Sequence, residues 1–384
     1  MQYFMNDEQK LAVDGLRKYL DREIAPQVTA YRDKFIPTAD MKRIQKGLMD
    51  FGLTVAPHPE VYGGLGLDWS THLMLFEEVV STSIDLAYPI VINTVAIDLL
   101  VKSANEDIKR QYLPGLLSGE LFISTAISEP DVGSDVAGAK TRARRDGDHY
   151  VINGEKTWIS NGEYADLIVV TCRTSDDPKL GMSHFLVDAR SSGIDIRGIP
   201  KIALNSQSTA QVFFDDVRVP VQNMIGEEGV GLKNTMVVFE RARLHMAVNG
   251  YGLARRALEE SIKYSQERIQ HGKPIAGHQL IADKLAIMAT KIDAARLLTM
   301  RAAAMIDAGI RCDKESSMAK WFGTELAVEA TRDAVQIHGG NGLTKEFIVE
   351  KLAREALCQP IPDGTTEIQK LIIARALTGV NAIR

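Results

Sequence analysis

In Ile361-Pro-Asp-Gly-Thr-Thr-Glu-Ile-Gln369 a single acid, Asp363, sits between a proline and a glycine just ahead of a helix pattern. Pro362 and Gly364 favour a turn over an earlier helix start. Thr366 followed three residues later by Gln369 is a capping-box pattern, and Ile368, Leu371, Ile372 and Leu377 supply an apolar face, so the spacing predicts a helix running to about Gly379. A carboxylate held in such a turn has a fixed direction and lies beside backbone N–H groups that can stabilise developing negative charge. An ordinary Asx-type turn carries the same pattern and does no chemistry.

Back along the chain from this turn, helical period persists from about Gly229: Ile281, Leu285, Met288, Ile292 and Ala295 form one apolar face, and Ala319, Phe322, Leu326 and Ala330 another. Antiparallel helices in a bundle are expected. Between about 118 and 228 the period changes. "HYVINGEKTWIS", "ADLIVVTCR", "SHFLVD" and "AQVFFDDVRVP" are short β-branched and aromatic runs separated by Asn-Gly, Ser-Asp-Asp-Pro and Ser-Ser-Gly turns, which predicts a small antiparallel β-domain. Residues 1–117 are helical again. Asn6 with Gln9 is a capping box, Leu16, Leu20 and Ile24 follow at four-residue spacing, and Pro26 is expected to end that helix. Gly63, Gly64 and Gly66 do not form GxGxxG after a strand, so a nicotinamide-type Rossmann fold is excluded and the glycines serve backbone geometry.

The 384 residues, 45% hydrophobic and 25% charged, describe an ordinary globular protein of two or three domains. A net charge of -5 supplies no basic field for nucleic acid, though it leaves room for a local basic patch. Cys172, Cys312 and Cys358 form no CxxC pair, so neither a disulfide framework nor a zinc site is indicated and a reducing, cytoplasmic setting is expected. Asp7, Glu8 and Lys10 argue against a secretory signal. The apolar run Leu86 to Val101 is broken by Asn93 and Asp98, so a buried helix is expected there and no membrane insertion. HExxH, GxSxG and GxxxxGK[ST] are all missing, and no metal site is expected.

"PDGTTEIQ" resembles the C-terminal signature of the acyl-CoA dehydrogenases, in which the acid is the catalytic base; much of that family carries glutamate where this chain has Asp363. Ser128-Glu-Pro-Asp-Val-Gly-Ser134-Asp135 resembles the family's "TEPxxGSD" segment along the flavin, and Trp158-Ile-Ser160-Asn-Gly162 its "WITNG" segment, which packs an aromatic on the isoalloxazine. "FERAR" (239–243) resembles the helix segment that contacts the CoA moiety, while "ERIQHG" and "HQLIADKLA" resemble a cofactor-contacting helix–helix turn. "DAVQIHGGNG" resembles the glycine loop that reaches the FAD of a neighbouring subunit, with His338 in a structural or cofactor-packing role.

The resemblance covers residues 5–380 and implies the acyl-CoA dehydrogenase fold, mostly α with a central β-domain: an N-terminal helical domain (1–117), a middle antiparallel β-domain (118–228) and a C-terminal four-helix bundle (229–384). It places FAD on Thr125, Ile127, Ser128, Gly133 and Ser134; on Trp158 and Ser160; on Arg268, Gln270, His278 and Gln279; on Gln336, Gly339 and Gly340; and on Thr365 and Glu367. Substrate contacts fall on Ser134, Glu240, Arg243 and Gly364. His271 stands where phenylalanine is common and is expected to alter adenine packing. Asp363 would abstract the proton α to the thioester carbonyl while the β-hydride moves to flavin N5, and the Asp363 N–H would help hold the carbonyl oxygen. Some relatives, including isovaleryl-type enzymes, carry the base at the position of Ala242, which cannot ionise. The resemblance further implies a homotetramer that passes electrons to an electron-transferring flavoprotein. Its alicyclic branch implies cyclohexane-1-carboxyl-CoA as substrate. Short branched or aryl-substituted acyl-CoAs, a flavin oxidase of the same fold with an aspartate base, and a non-catalytic acyl-CoA or FAD-binding scaffold stay open as alternatives.

Overall fold

Asn6 opens the first helix through the expected capping box: its Oδ1 accepts the Gln9 N–H at 2.8 Å, and Gln9 Oε1 accepts the Asn6 N–H at 3.0 Å. In the computed structural model, which describes residues 5–177 and 180–382, this helix is α1 (Asp7–Tyr19). Pro26 does not end it. A π-helical turn, Leu20–Ile24, leads into α2 (Ala25–Ala30) with Pro26 in its first turn. There the Ala25 N–H already bonds Leu20 O five residues back, and a first-turn proline loses no intrahelical hydrogen bond.

The N-terminal helices continue as α3 (Thr38–Met49), α4 (Trp69–Thr82), α5 (Ile84–Ser103) and α6 (Glu106–Leu117). By length and composition α5 could cross a membrane, but 89% of its apolar window is buried inside the protein. Its interrupting polar residues have partners: Asn93 Oδ1 accepts the Ile123 N–H at 3.2 Å, and Asp98 takes the Lys102 ammonium at 2.8 Å.

Eight strands follow: β1 (Ile123–Ala126), β2 (Arg142–Asp146), β3 (His149–Ser160), β4 (Leu167–Arg173), β5 (Met182–Asp188), β6 (Ile194–Gly198), β7 (Thr209–Pro220) and β8 (Met224–Ile225). They form one sheet in the order β6-β7-β3-β2-β4-β5-β8, with β1 also paired to β4. Most neighbours are antiparallel as expected, with the exception that β1 and β2 both pair with β4 in parallel. Crossovers rather than tight turns separate these strands from β4, and parallel neighbours need such connections. Asn161, at φ +62°, and Gly193, at φ +88°, make two of the expected turns, while Pro178 of the third lies outside the described residues.

The C-terminal part consists of α7 (Gly231–Glu267), a hairpin of β9 (Ile269–Gln270) and β10 (Lys273–Pro274), α8 (Gln279–Asp307), α9 (Asp313–His338), α10 (Val349–Ala356) and α11 (Thr366–Thr378). Met288, Ile292 and Ala295 of α8 are buried, as are Ala319, Leu326 and Ala330 of α9. The first turns of α8 are more open, with Ile281 and Leu285 only half-buried and Leu280 and Ile287 exposed. At their crossing α7 and α9 meet backbone to backbone: a Cβ on Gly250 would lie 2.2 Å from Gly323 O, and one on Gly323 would lie 2.7 Å from Ala247 O. Ion pairs fasten the N-terminal helices to the bundle. Glu78 on α4 binds Arg17 and Arg255, each at 2.8 Å, and Glu77 binds Arg255 and Arg296.

Thr365, not Thr366, caps α11, and its hydroxyl accepts the Ile368 N–H at 3.4 Å. The Thr366–Gln369 capping box is therefore corrected. Thr366 is already helical and its hydroxyl turns to Glu325, while Gln369 donates to the carbonyls of Asp363 at 3.1 Å and Gly364 at 2.9 Å. Ile372 and Ile373 make the buried face, and Leu377, expected on it, is exposed beyond the last buried turn. Gly379, left-handed at φ +73°, closes the helix where expected.

The Gly250–Gly323 crossing should tolerate no side chain, because overpacking against backbone forces whole helices apart at a cost of about 1–3 kcal/mol or more. Gly250→Ala is expected to lower the apparent Tm by several degrees. Gly15→Ala on α1, where the nearest atom to a new Cβ is Phe51 at 3.9 Å, should leave it unchanged or raise it slightly. Parallel differential scanning of the two variants checks this.

Candidate active site

Asp363 adopts a left-handed conformation, φ +54°, followed by Gly364 at φ +91°. Such a conformation costs a non-glycine residue of order 1–3 kcal/mol and persists only where its surroundings enforce it. Here the enforcement is visible. The Thr366 N–H at 3.1 Å and the Lys320 ammonium at 2.7 Å both donate to Pro360 O, and Gln369 holds the carbonyls of Asp363 and Gly364. The Asp363 carboxylate has no hydrogen bond or ion pair among the described residues, nor has its N–H an acceptor there. Burial pushes this carboxyl above the usual carboxylate range, against the opposing pull of the Lys320 and Arg243 charges. The result is a fixed, unengaged acid with a free amide donor at the same residue, the arrangement that proton abstraction beside a carbonyl requires.

Arg243 approaches from α7. It is buried, with Nη1 3.4 Å from Asp313 and its Nε unpaired. Glu240, one turn earlier, is also buried, and burial followed by the charge of Asp313 raises its carboxyl above the ordinary range. Ala242 is buried between them. Of the residues expected near Asp363, Gly364 and Thr365 are half-buried in the turn and Glu367 is exposed in the first turn of α11.

A second cluster is built on the sheet. The Thr157 N–H donates to Ser128 O at 2.9 Å, which ties the loop after β1 to the end of β3. The fully buried Lys156 strengthens this tie by donating to Ile127 O at 2.9 Å and to Glu129 at 2.8 Å, while Glu129 also accepts the N–H groups of Lys140 and Thr141. Burial works against the Glu129 charge, but these donors outweigh it and hold the carboxyl below its usual range. Together they fix Thr125, Ile127 and Ser128, half-buried, beside Trp158, and the loop continues to exposed Gly133 and Ser134; Ser160 is half-buried. Trp158 is 62% exposed and sits at φ +62°, an indole held out from the sheet by a conformation that only a special environment maintains.

The third cluster lies at the far end of the bundle. Arg268, Gln270 and Gln279 are exposed around the β9–β10 hairpin, and His278 is half-buried, its Nε2 3.2 Å from Gln270 O. Gln336, Gly339 and Gly340 are exposed where α9 ends, and neither glycine has an atom within 4 Å of a Cβ position. His338 is buried, stacks on Tyr264 at 4.2 Å between ring centres, and directs Nδ1 to Ala334 O at 2.8 Å, so its role is structural. His271 stands at φ +50° on the hairpin turn.

The patterns of the sequence pointed to neither Lys320, nor Lys156 and Glu129, nor Tyr88 on α5. The Tyr88 hydroxyl lies 3.3 Å from Gln359 Oε1, and burial, followed by the nearby charges of Cys358 and Asp363, resists its ionisation. A lysine inside an apolar helical pattern is the one signal that was available for Lys320.

Three domain families match this chain in succession: acyl-CoA dehydrogenase, N-terminal domain over residues 6–120, middle domain over 124–217, and C-terminal domain over 229–378. The chain belongs to the acyl-CoA dehydrogenase family. It is 36% identical over 380 residues to an acyl-CoA dehydrogenase of Bacillus subtilis, covering 98% of this chain and 99% of the relative. It is 33% identical over 374 residues to the cyclohexane-1-carbonyl-CoA dehydrogenase of Syntrophus aciditrophicus, covering 97% of each. Among solved structures, a glutaryl-CoA dehydrogenase from Mycobacterium smegmatis in complex with FADH2 superposes with a TM-score of 0.93 at 26% identity, over 100% of this chain and 98% of that one. The family is FAD-dependent, and this acyl-CoA dehydrogenase is an oxidoreductase acting on CH–CH bonds. The outward Trp158 and the open sides of Gly339 and Gly340 fit such a cofactor: the first offers an aromatic face, and the glycines let backbone N–H groups approach a pyrophosphate.

Lys156→Met removes the ammonium that ties Ile127 to Glu129, so the loop beside Trp158 should loosen. A charge-assisted hydrogen bond contributes about 1.5–3 kcal/mol, so FAD should bind about 10-fold or more weakly. Titrating the apoprotein by flavin fluorescence quenching, with circular dichroism as the folding control, measures the change.

Proposed function

We propose that this acyl-CoA dehydrogenase oxidises a compact acyl-CoA branched at the α-carbon, an alicyclic thioester such as cyclohexane-1-carboxyl-CoA, to the ring-1-ene thioester, with Asp363 as the base. The observation that carries this reading is the unengaged Asp363 carboxylate on its clamped turn. The carboxylate removes the proton α to the thioester carbonyl, and the Asp363 N–H donates to the carbonyl oxygen as charge develops there. Bound FAD supplies the acceptor for the β-hydride. Losing one donor of this type costs about 10²- to 10³-fold in rate.

Aspartate and glutamate have similar intrinsic basicity, so replacing the glutamate of many relatives by Asp363 changes reach. One methylene withdraws the carboxylate by roughly 1–1.5 Å, and a displacement of that size can cost about 10²-fold unless the proton donor moves to meet it. A ring that includes the α-carbon fills the gap and presents its tertiary C–H nearer the acid. Pro362, next to Asp363 in the turn, and the buried Tyr88, whose ionisation the Asp363 charge opposes, form part of the same surroundings. The similarity to the Syntrophus aciditrophicus cyclohexane-1-carbonyl-CoA dehydrogenase supports the same choice.

The cofactor is assigned to Thr125, Ile127, Ser128, Gly133, Ser134, Trp158 and Ser160 of the sheet cluster, to Thr365 and Glu367, to Arg268, Gln270, His278 and Gln279 at the bundle end, and to Gln336, Gly339 and Gly340, whose glycine loop reaches the FAD of a neighbouring subunit. Ser134, Glu240, Arg243 and Gly364 are assigned to the substrate. The domains divide at 117/118 and 228/229. A homotetramer fits the apolar surface of the first half of α8, where Leu280 is 81% exposed. Its electrons pass to an electron-transferring flavoprotein in a cytoplasmic setting.

Cyclohexanecarboxyl-CoA should bleach the flavin anaerobically, and Asp363→Asn should retain FAD while slowing that reduction by about 10²- to 10⁴-fold. Because Asp363 works as the carboxylate and its pKa is raised, the wild-type rate should fall as pH drops through that raised value. Stopped-flow absorbance gives both results, and reduction of the Asn variant at the wild-type rate would remove Asp363 as base. In a second measurement, kcat/KM should favour cyclohexanecarboxyl-CoA over butyryl- and octanoyl-CoA, and Asp363→Glu should not improve it. A tenfold preference for a linear thioester contradicts the alicyclic assignment, and a preference for isobutyryl-CoA points to short branched substrates.

A further inference from the structure

Lys320 lies two turns into α9 and is wholly buried, yet no carboxylate comes within ion-pair distance of its ammonium among the described residues. Its hydrogen bond goes to a neutral acceptor, Pro360 O, at 2.7 Å. A buried ammonium without a paired carboxylate is costly to keep, and a methionine would fill the same space without that cost. Stability alone therefore gives no reason for a lysine here.

Its surroundings supply another. The charged groups that face Lys320 are Glu325 on its own helix, Arg243 on α7, and Asp363 and Glu367 on the turn and first turn of α11. Three of these have work elsewhere. Glu325 accepts the Thr366 hydroxyl, Arg243 is held by Asp313, and Glu367 is exposed at the start of α11. The remaining one, Asp363, has no partner of its own, and its charge is the largest favourable influence on the Lys320 ammonium. Through Pro360 the same ammonium grips the carbonyl that closes the turn. We propose that Lys320 is a positioning residue for the base: it locks the Pro360–Gly364 turn by one hydrogen bond and holds the Asp363 carboxylate in its proton-accepting form by its charge. This rests on the assignment of Asp363 as base.

Burial draws Lys320 down to about 8, against the pull of Asp363, Glu325 and Glu367 and with the push of Arg243. The charge on Lys320 is thus retained below that pH, where a half-buried aspartate needs a counter-charge to stay ionised. Gln369 shares the mechanical part of the task through the Asp363 and Gly364 carbonyls but carries no charge. Lys320 combines both functions.

The test uses the FAD-loaded protein and phenylacetyl-CoA, which has α-hydrogens but no β-hydrogen to lose, so exchange of its α-hydrogens for deuterium in D2O reports the base without net oxidation. Wild type should exchange them with an acid limb set by Asp363, and Asp363→Asn should not; full exchange by Asp363→Asn would defeat the base assignment, whatever Lys320 does. Given that control, Lys320→Met should retain FAD and exchange about 10²-fold more slowly, with the acid limb moved upward by about one pH unit. Lys320→Gln, which can still donate to Pro360 O, should recover part of the rate but keep the shifted limb, and Lys320→Arg should restore the limb. An unshifted limb and a rate within twofold of wild type in Lys320→Met overturn the proposal. If Lys320→Met does not hold FAD, an unshifted limb in Lys320→Gln does the same, and if neither variant holds FAD, Lys320 is structural and the proposal is wrong.

Discussion

The close crossing of α7 and α9 at Gly250 and Gly323 is the constraint on which the active-site geometry depends. Arg243 lies two turns before the crossing on α7 and Lys320 one turn before it on α9, so the distance between the helix backbones decides how near these cations come to the turn at Asp363. Two adjacent backbones can approach this closely only where neither carries a Cβ. The core on either side is then packed by alanines such as Ala247, Ala254, Ala319 and Ala327, which keep the same short separation along the bundle.

Within that frame the chemistry is set by the cost of burying charge. Asp363 is raised because it is withdrawn from water, and two cations moderate the rise without pairing with it. A direct ion pair would stabilise the carboxylate and make it a poorer base; complete isolation would keep it protonated. The protein stands between these limits by giving Arg243 to Asp313 and Lys320 to a carbonyl. At Glu78, by contrast, buried charge is matched: burial opposes ionisation, but the hydrogen bonds from Arg255 and Arg17 hold the carboxyl below its usual range. That contribution to stability is present above the unfolded carboxylate value and is lost as pH falls through the lower folded one. Paired acids such as Glu78 stabilise the scaffold, whereas Asp363, without such a partner among the described residues, is the acid proposed for reaction.

Much of this was legible in the sequence because the information was local. The Asn6–Gln9 box, the β-branched runs of β3, β4 and β7, the buried faces of α8 and α9, and the Pro-Asp-Gly turn each follow from neighbouring residues. The misses share a cause. Pro26 is accommodated by a π turn that no apolar spacing announces, Thr366 gives its hydroxyl to a glutamate 41 positions away, and Leu377 lies past the end of the surface that would have covered it. β1 pairs in parallel with a strand that begins at Leu167. Lys156 and Lys320 are hardest to read because lysines at such positions usually point to water, and only contacts to Glu129 and Pro360 distinguish them.

The 37 residues of α7 run without a break from the sheet to the β9–β10 hairpin. At 1.5 Å per residue that is a rod of about 55 Å, with Arg243 toward one end and Arg268 just past the other. A single inserted residue would turn everything beyond it by about 100° and advance it by 1.5 Å, carrying Gly250 off the face of α9. The length of this helix is therefore an integer the fold cannot renegotiate. Divergence along it has to proceed by exchanging side chains at constant register.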